Sequence, residues 1–332
     1  MLKKSTGTPG ENEILKFLQD RQIIGNSNIR MGIGDDAAVI RQGKTEEYRL
    51  VSTDMLVEDV DFRRKWTSPR QLGRKSLSVN LSDLAAMGAV PKFFTVALGL
   101  PTDISMYWIK EFYRGLTERA EGGDLSSSRE RIVVSITALG ASVERKVVYR
   151  SGGKAGDILY VTGTLGLSAA GLKILETGCI HPRNSLKREA VQTHRDPEPR
   201  CRSGMWLAHC GMVRCMMDLS DGLSADLPRL CSASGTAAEI DVSKLPVHRE
   251  ATAWGWDPVA LALHGGEDFE LLFAVKGNKS KIFEKSYPAE LPPVTRIGQL
   301  IPGNGEVWIY GARRRRQRLK NMGYEHFSRY ND

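Results

Sequence analysis

The sequence lacks the features that mark several large classes of protein. No apolar run approaches the roughly 20 residues that cross a bilayer, and residues 1–7 (MLKKSTG) are too poor in apolar residues for a signal peptide. The five cysteines all lie in the second half and form no C-x-x-C pair, which disfavours a disulfide framework and a zinc site. We therefore expect a cytoplasmic protein with reduced thiols and no membrane partner.

The familiar phosphate-binding motifs are also missing. The sequence contains no G-x-x-x-x-G-K-[ST] loop and no protein-kinase set of β3 lysine, H-R-D and D-F-G. Residues 32–37 (GIGDDA) formally match the dinucleotide pattern G-x-G-x-x-A, but two carboxylates after the second glycine repel a pyrophosphate unless a metal intervenes. Taken alone, this motif is better explained as a polar turn. Any phosphoryl transfer must depend on metal ions and backbone groups.

Charge and length set further limits. A chain of 332 residues favours two domains, and we place the boundary in a Gly-rich loop so that they span residues 1–145 and 146–332. The net charge of +8 suits anionic partners without naming one. Residues 313–316 (RRRR) contribute much of it, but no RNA-binding motif or zinc finger accompanies them, so a solvated face is favoured over a nucleic-acid partner.

What the sequence does contain is a set of short acidic motifs, each beside Gly, Ser or Thr. Carboxylates that converge repel each other, so a cation must lie among them. Mg²⁺ takes oxygen ligands and commonly bridges to substrate phosphates. The motifs therefore predict a Mg²⁺-dependent enzyme that acts on a phosphorylated or nucleotide substrate. They are residues 32–36 (GIGDD), 52–54 (STD), 80–83 (NLSD), 122–124 (GGD) and 218–222 (DLSDG).

Hydrophobic periodicity predicts alternating strands and helices, which indicates layered α/β domains. The clearest helix covers residues 71–87 and is stopped by Gly88 and Pro91. The strand over residues 48–54 is expected to end at the STD triplet. Other predicted helices cover residues 11–24, 106–120, 168–175 and 223–234, and other predicted strands cover 93–100, 131–140, 157–161, 237–242 and 271–275.

Two of the acidic turns allow more than one interpretation. The DLSD segment supplies either two metal carboxylates and a hydroxyl, or a helix N-cap. The GGED segment at 265–268 supplies either a carboxylate for a cationic substrate or an exposed loop. Arg150 is a candidate phosphate ligand, although most lone arginines are surface residues.

Eight motifs follow one another over nearly the whole chain: GIGDDAA, STD, VNLSDLAAMGAVP, GGD, YRSGGKAGD, MDLSDGLSADL, HGGEDFEL and GYEHF. In this order they resemble the thiamine-monophosphate kinase family, a branch of the ATP-binding superfamily that includes aminoimidazole ribonucleotide synthetase. VNLSDLAAMGA and MDLSDGL are the most specific elements of the resemblance. It implies ATP-dependent phosphorylation of thiamine monophosphate to thiamine diphosphate by direct transfer with several Mg²⁺ ions.

The resemblance also implies a fold and an assembly. The fold is α/β (α+β), with an N-terminal mixed sheet and helices, and a C-terminal α/β domain. The N-terminal domain carries ATP, Mg²⁺ and the interface of a homodimer, in which two sheets meet as a barrel. The C-terminal domain contributes to the nucleotide, metal and thiamine sites.

Site residues follow from the resemblance position by position. The positions that match metal ligands are Asp36, Ser52, Thr53, Asp54, Asp83, Asp124, Asp218 and Asp221. Those that match ATP contacts are Tyr113, Gly123, Asp124, Arg150 and Ser220. Those that match thiamine contacts are Asp61, Glu267 or Asp268, and Tyr324.

Two positions depart from the family pattern. Asp61 stands where the family usually has His, which weakens a substrate contact, and Leu125 stands where Thr is usual, which removes a hydroxyl from the nucleotide site. Three alternatives stay open: another ATP-dependent activity of the same superfamily, a basic nucleic-acid-binding protein, and a nucleotide sensor that has lost catalysis.

Overall fold

The structure is a computed structural model that describes residues 17–18, 28–41, 47–119, 131–142, 144, 146–311 and 315–323. Several sequence predictions fall outside these residues: most of the helix at 11–24, the GGD motif with Gly123, Asp124 and Leu125, the first half of the four-arginine run, and Tyr324. Within the described residues, no helix is long and apolar enough to cross a membrane.

The first half of the chain forms a five-stranded sheet with two helices on one face. The strand order is β1-β2-β3-β5-β4, and every neighbouring pair is antiparallel. The predicted mixed sheet is therefore antiparallel in this half. The strands are β1 Ile29–Met31, β2 Ala38–Arg41, β3 Tyr48–Val57, β4 Val90–Gly99 and β5 Val133–Ala141, and the helices are α1 Pro69–Ala86 and α2 Met106–Arg119.

Helix α1 is the predicted helix at 71–87, and its ends follow ordinary capping chemistry. Ser68 and Gln71 form a reciprocal capping box, with Pro69 at the first helical position. Gly88 follows the helix with φ of +71°, a conformation that glycine adopts at little cost. The helix is thus fixed at both ends by residues that the sequence shows.

Strand β3 continues beyond its predicted end. The prediction stopped it at Asp54, but the strand runs to Val57. Because side chains alternate across a strand, Ser52 and Asp54 face α1, whereas Thr53 and Met55 lie on the outer face. The STD triplet is therefore split between two faces of one sheet.

The second half forms a seven-stranded sheet of order β12-β11-β8-β10-β6-β9-β7. Only β11 and β8 pair in parallel. Its strands are β6 Ile158–Thr162, β7 Val213–Leu219, β8 Ala237–Asp241, β9 Glu270–Val275, β10 Val294–Ile301, β11 Val307–Tyr310 and β12 Gln317–Arg318. Its helices are α3 Leu167–Glu176, α4 Ser185–Arg195, α5 Cys201–His209, α6 Leu223–Ser234, α7 Pro258–His264 and α8 Ser280–Ser286.

Helix α1 packs against both halves. One side of it contributes Leu72, Leu77 and Leu84 to the core of the first sheet. Its last turn places Ala85 and Ala86 in a second core with Met216 and Phe273 of the second sheet. A Cβ at Gly204 of α5 would lie 2.0 Å from the carbonyl oxygen of Ala85, so glycine permits this approach. The carboxyl-terminal half of α1 is therefore held between the two sheets.

Candidate active site

Three carboxylates converge where the halves meet. Asp36 follows a turn between β1 and β2, Asp83 lies in the last turn of α1, and Asp218 lies near the end of β7. One carboxylate oxygen from each lies within 4.8 Å of the others. Asp36 and Asp218 are buried. Residues separated by up to 182 positions thus form one cluster, since 218 − 36 = 182.

Electrostatics make this cluster costly without a cation. Burial, followed by repulsion from the neighbouring aspartates, raises the pKa of both Asp83 and Asp218 well above the usual range. Burial also raises the pKa of Asp54, which lies beside Asp83. The Oδ2 atom of Asp36 is buried and has no hydrogen-bond partner among the described residues. An orphaned oxygen and converging carboxylates are a donor set that fits a hard divalent cation.

Neutral polar groups of α1 and β3 lie beside the same cluster. The Ser82 hydroxyl donates to Oδ2 of Asp218 at 2.7 Å, and the Ser52 hydroxyl donates to Asp83. The Asn80 side-chain oxygen accepts from the backbone N–H of Asp54 at 3.1 Å. The two serine hydroxyls orient the carboxylates, in the way that outer hydrogen bonds orient metal ligands, and Asn80 fixes the backbone of β3 beside them.

Arg150 lies next to the cluster, on the side of the β1–β2 turn. Its Nη2 and Nε atoms lie 2.6 and 3.2 Å from Oδ1 of Asp36, and its backbone N–H donates to the Asp35 carboxylate at 3.2 Å. Burial, followed by repulsion from Asp36, raises the pKa of Asp35 to about 7. Asp35 is a neighbour that the sequence reasoning left out when it chose Asp36.

The DLSD and GGED turns pack directly on each other. The Glu267 N–H donates to the carbonyl oxygen of Ser220 at 2.7 Å, and a Cβ at Gly266 would lie 2.7 Å from that same oxygen. Glu267 itself has φ of +63°, a sparsely populated conformation for a non-glycine residue that often occurs at functional sites. The close approach therefore requires glycine at 266 and aims Glu267 into the space between the halves.

The N-cap interpretation of the DLSD segment is wrong. Helix α6 begins after Gly222, which makes no side-chain cap. Asp226, inside the helix, accepts instead from the backbone N–H groups of Ser220 and Asp221 at 3.1 and 3.0 Å. Arg229 pairs with both Asp221 and Asp226. The carboxylate of Asp218 therefore does not cap α6 and lies in the cluster instead.

Glu267 is held by two cationic or potentially cationic neighbours. The Nζ atom of Lys75, a buried residue of α1, lies 2.9 Å from its Oε1, and Nδ1 of His194 lies 3.1 Å from its Oε2. Burial opposes ionisation of Glu267, but the charges of Lys75 and His194 outweigh it and lower the pKa to about 2. Glu267 is therefore ionised at neutral pH.

A cleft of about 780 Å³ opens beside these groups. Among the described residues that line it, seven are acidic and only Arg63 and Lys173 are Lys or Arg. The acidic ones are Asp54, Asp61, Asp83, Glu176, Asp218, Asp221 and Glu267. A phosphate entering this cleft meets net negative charge, which a bound cation has to offset.

The structure brings together most of the predicted residues that it describes. Asp36, Ser52, Asp54, Asp83 and Asp218 form the cluster or bond to it, and Asp61, Ser220, Asp221 and Glu267 line the cleft.

Three predicted residues lie elsewhere. The hydroxyl of Thr53 bonds to Thr137 on the outer face of the sheet. Tyr113 packs on the first core, edge-on to Phe112. The carboxylate of Asp268 accepts from the backbone N–H groups of Gly166 and Ser168 at the start of α3, so of the two alternatives only Glu267 faces the cleft.

Four polar residues around the site were given no role from the sequence, although Asn80 and Ser82 belong to the NLSD motif: Lys75, Asn80, Ser82 and His194. Three are on α1, where Lys75 and Ser82 lie seven positions apart and hence on one helical face. The buried Lys75 and Ser82 on one face of a predicted helix were a usable signal. His194 had none, because its contact with Glu267 joins residues 73 positions apart (267 − 194).

Comparison with models of known protein families assigns both halves of the chain to one family. The family model described as AIR synthase related protein, N-terminal domain, matches residues 34–142, and its C-terminal counterpart matches residues 154–311. The first range contains the first sheet except its edge strand β1, and the second range contains the second sheet except its edge strand β12. The fold and the cleft between its halves thus define an AIR synthase related protein, as the sequence resemblance predicted.

Individual relatives narrow the class. Thiamine-monophosphate kinase of Bacillus subtilis is 35% identical over 317 residues, covering 92% of this chain and 95% of the relative. That of Mycobacterium tuberculosis is 38% identical over 289 residues, covering 82% and 84%. A solved complex of AaThiL with AMPPCP and TMP superposes with a TM-score of 0.82 at 30% identity, covering 97% of this chain and 100% of that one. The chain belongs to the thiamine-monophosphate kinase family.

Proposed function

We propose that this protein catalyses the ATP-dependent phosphorylation of thiamine monophosphate to thiamine diphosphate, a step of thiamine biosynthesis. The observation that carries the proposal is the convergence of Asp36, Asp83 and Asp218 beside the cleft between the two halves. Relatives named for this activity match nearly the full chain, and the AaThiL complex with AMPPCP and TMP has the same fold.

Mg²⁺ is the cation that fits the cluster. Asp36, Asp83 and Asp218 would hold it, and the other proposed ligands are Ser52, Asp54, Asp124 and Asp221. Thr53 is not supported as a ligand, because its side chain lies on the opposite face of β3. When bound, Mg²⁺ would neutralise the charge of phosphate groups, which phosphoryl transfer requires.

The proposed ATP contacts are Tyr113, Gly123, Asp124, Arg150 and Ser220. Ser220 lines the cleft, and Arg150 is tied to Asp36 by a double contact. This contact orients the guanidinium beside the cluster, where it can bind a phosphate oxygen. Tyr113 lies in the first core, so it contributes to the fold that supports α1.

The proposed thiamine contacts are Asp61, Glu267 and Tyr324. The thiazolium ring carries a positive charge, and Glu267 is an ionised carboxylate on the cleft wall because its pKa is about 2. Lys75 lies behind it and fixes its direction. Asp268 receives no support as a contact, because backbone N–H groups occupy its carboxylate.

The chain's own residues act mainly by positioning. The acceptor is an ionised phosphate, so its oxygen attacks the γ-phosphate without a general base, and ADP leaves. Ser82 and Ser52 hold the carboxylates in place, and Glu267 holds the cationic end of the acceptor away from the reacting phosphate. Positioning and charge neutralisation account for most of the rate in such transfers.

We further propose a cytoplasmic homodimer with domains at residues 1–145 and 146–332. Two apolar side chains on the outer face of the first sheet support the dimer: Met55 of β3 is 59% exposed, and Phe93 of β4 is 66% exposed. Large apolar side chains exposed on one sheet face are typical of an interaction surface. The cysteines that the structure describes are all free thiols, as suits a reducing compartment.

Product analysis tests the function. The purified protein is incubated with ATP and Mg²⁺ and with either thiamine monophosphate or unphosphorylated thiamine, and the thiamine compounds are separated by chromatography. We expect thiamine diphosphate from the monophosphate and no phosphorylation of thiamine. Formation of ADP without thiamine diphosphate would instead assign the chain to another acceptor within the same superfamily.

A further inference from the structure

A second cavity, of about 1000 Å³, shares Trp66 with the cleft as a lining residue. It is bounded by residues 64–74, which include the start of α1, and by residues 180–195, which include α4. Seven of the sixteen described lining residues are Lys or Arg, and none of the sixteen is acidic. We call this cavity the basic groove. Its charge is opposite to that of the cleft.

Ion pairs with nearby carboxylates account for only part of this charge. Arg64 pairs with Glu58, Arg70 with Glu118, and Arg74 with Asp196. The other four cations of the groove, Lys65, Arg183, Arg188 and Arg195, form no ion pair with any described residue.

Arg195 is the most unusual of these four. Its residue is only 6% exposed, and its Nε and Nη2 atoms are buried without a hydrogen-bond partner among the described residues. An unpaired buried charge is strongly unfavourable, because desolvation is not offset by an opposite charge. Burial accordingly lowers the pKa of Arg195. A guanidinium held in this way at the wall of a cavity is matched by an anion.

Helix α1 adds to the positive potential. Ser68 and Gln71, at its amino-terminal end, line the groove, and the amino-terminal end of a helix carries partial positive charge. With no carboxylate in the described lining, the groove lacks the ligands by which proteins usually hold Mg²⁺. Its ligand is therefore bound as a free anion, in contrast to phosphates in the acidic cleft.

We propose that the basic groove is a second ligand site, which binds the di- or triphosphate group of a small molecule without Mg²⁺. Arg195 is the central contact, and Lys65, Arg183 and Arg188 surround the anion. A concave site with its key arginine buried suits a compact phosphate group better than a long nucleic-acid backbone. Trp66 lines both the groove and the cleft, so the site adjoins the catalytic one. The proposal does not depend on the acceptor used in the cleft.

Calorimetric titration with inorganic pyrophosphate in EDTA at low ionic strength tests it. EDTA removes the metal through which the cleft could bind the same anion. Wild type is expected to bind one pyrophosphate per chain, and Arg195→Met is expected to bind at least about tenfold more weakly, because one charge-assisted contact is lost. The matched control is Arg202→Met, an exposed arginine of α5 outside both cavities, which should bind like wild type.

Thermal unfolding of the same proteins shows whether a variant that loses binding is still folded. Because Arg195→Met removes an unpaired buried charge, its ligand-free Tm should equal or exceed that of wild type, and pyrophosphate should no longer raise it. Equal pyrophosphate affinity in wild type and Arg195→Met would overturn the proposal, as would no binding to wild type. Binding of labelled single-stranded RNA, with none of pyrophosphate, would also overturn it and identify a nucleic-acid surface.

Discussion

The hydroxyl of Ser82 lies 2.7 Å from Oδ2 of Asp218 and donates to it, joining residues 136 positions apart. Ser82 belongs to α1 of the first half, and Asp218 belongs to β7 of the second. Both are buried. The carboxylate cluster is thus assembled by both halves of the chain.

Replacing Asp218 with Asn should lower the activity without lowering the stability of the metal-free protein. We expect thiamine diphosphate formation to fall by more than about 100-fold, since even groups that only orient a metal ligand commonly cost 10- to 100-fold. The Tm of the metal-free protein should equal or exceed that of wild type, because burial raises the pKa of Asp218 and the charge is unfavourable there. Assays and thermal melts in EDTA measure the two effects.

The control for this change is Asp257→Asn, which alters a carboxylate that caps α7 away from the cluster. It should keep its activity and lose a little stability. If Asp218→Asn retained the activity of this control, Asp218 would have no part in the reaction.

Ser82→Ala should raise the Mg²⁺ concentration needed for half-maximal activity. The hydroxyl acts only through Asp218, so the change leaves the carboxylate present but less well oriented, at a cost of roughly 10- to 100-fold. Titration of activity with Mg²⁺ measures this. Ser76→Ala is the matched control, because Ser76 is buried on the same helix but donates to the carbonyl of Leu72. Equal Mg²⁺ requirements in the two variants would contradict the positioning role.

The ion pair of Glu267 and Lys75 should make stability depend on pH in one direction. The pKa of Glu267 is lowered from 4.5 to about 2, so the folded state binds fewer protons than the unfolded state between these values. Its stabilisation is therefore complete above about pH 4.5 and is lost as the pH falls toward 2.

Urea unfolding of wild type and Glu267→Gln measures this contribution. At pH 7 the variant should be less stable by about 1–3 kcal/mol, because Lys75 is left buried without a counter-charge. The gap should stay constant down to about pH 5.5 and narrow at pH 4 and below. Glu290→Gln, at an exposed position, should show no gap. A gap that widens on acidification would reverse the assigned sign.

Much of this site could be predicted from the sequence, because short local patterns mark its residues. Asp36, Asp83 and Asp218 each belong to a short motif that contains Gly or Ser, and α1 could be placed from its apolar periodicity and its stop at Gly88. The resemblance then supplied the identity of the family. Local chemistry and motif order were sufficient for these parts.

Other parts depended on information that local patterns do not hold. The resemblance assigned Thr53 to the metal site with Ser52 and Asp54, whereas strand alternation separates their side chains. It left Glu267 and Asp268 as alternatives for a thiamine contact, but a backbone N–H group at the start of α3 donates to the Asp268 carboxylate. Lys75 and His194 are partners of Glu267 only after the chain has folded.

The outer face of the first sheet should hold two copies of the chain together. Phe93→Asp puts a charge at an apolar position that is 66% exposed and should convert the dimer to a monomer. Sedimentation velocity measures the change. Ile282→Asp, at a position 53% exposed on α8, should leave the dimer intact. A wild-type protein that sediments as a monomer would contradict the proposed homodimer.

The most direct test of the central claim follows the transferred group itself. ATP radiolabelled at the γ-phosphate is mixed with Mg²⁺, thiamine monophosphate and the protein, and the label is located after denaturation. Direct transfer at the carboxylate cluster predicts label in thiamine diphosphate and none on the protein, with labelled product lost in Asp218→Asn and in EDTA. Label that ends in inorganic phosphate or on the protein, or product that survives Asp218→Asn, would contradict it.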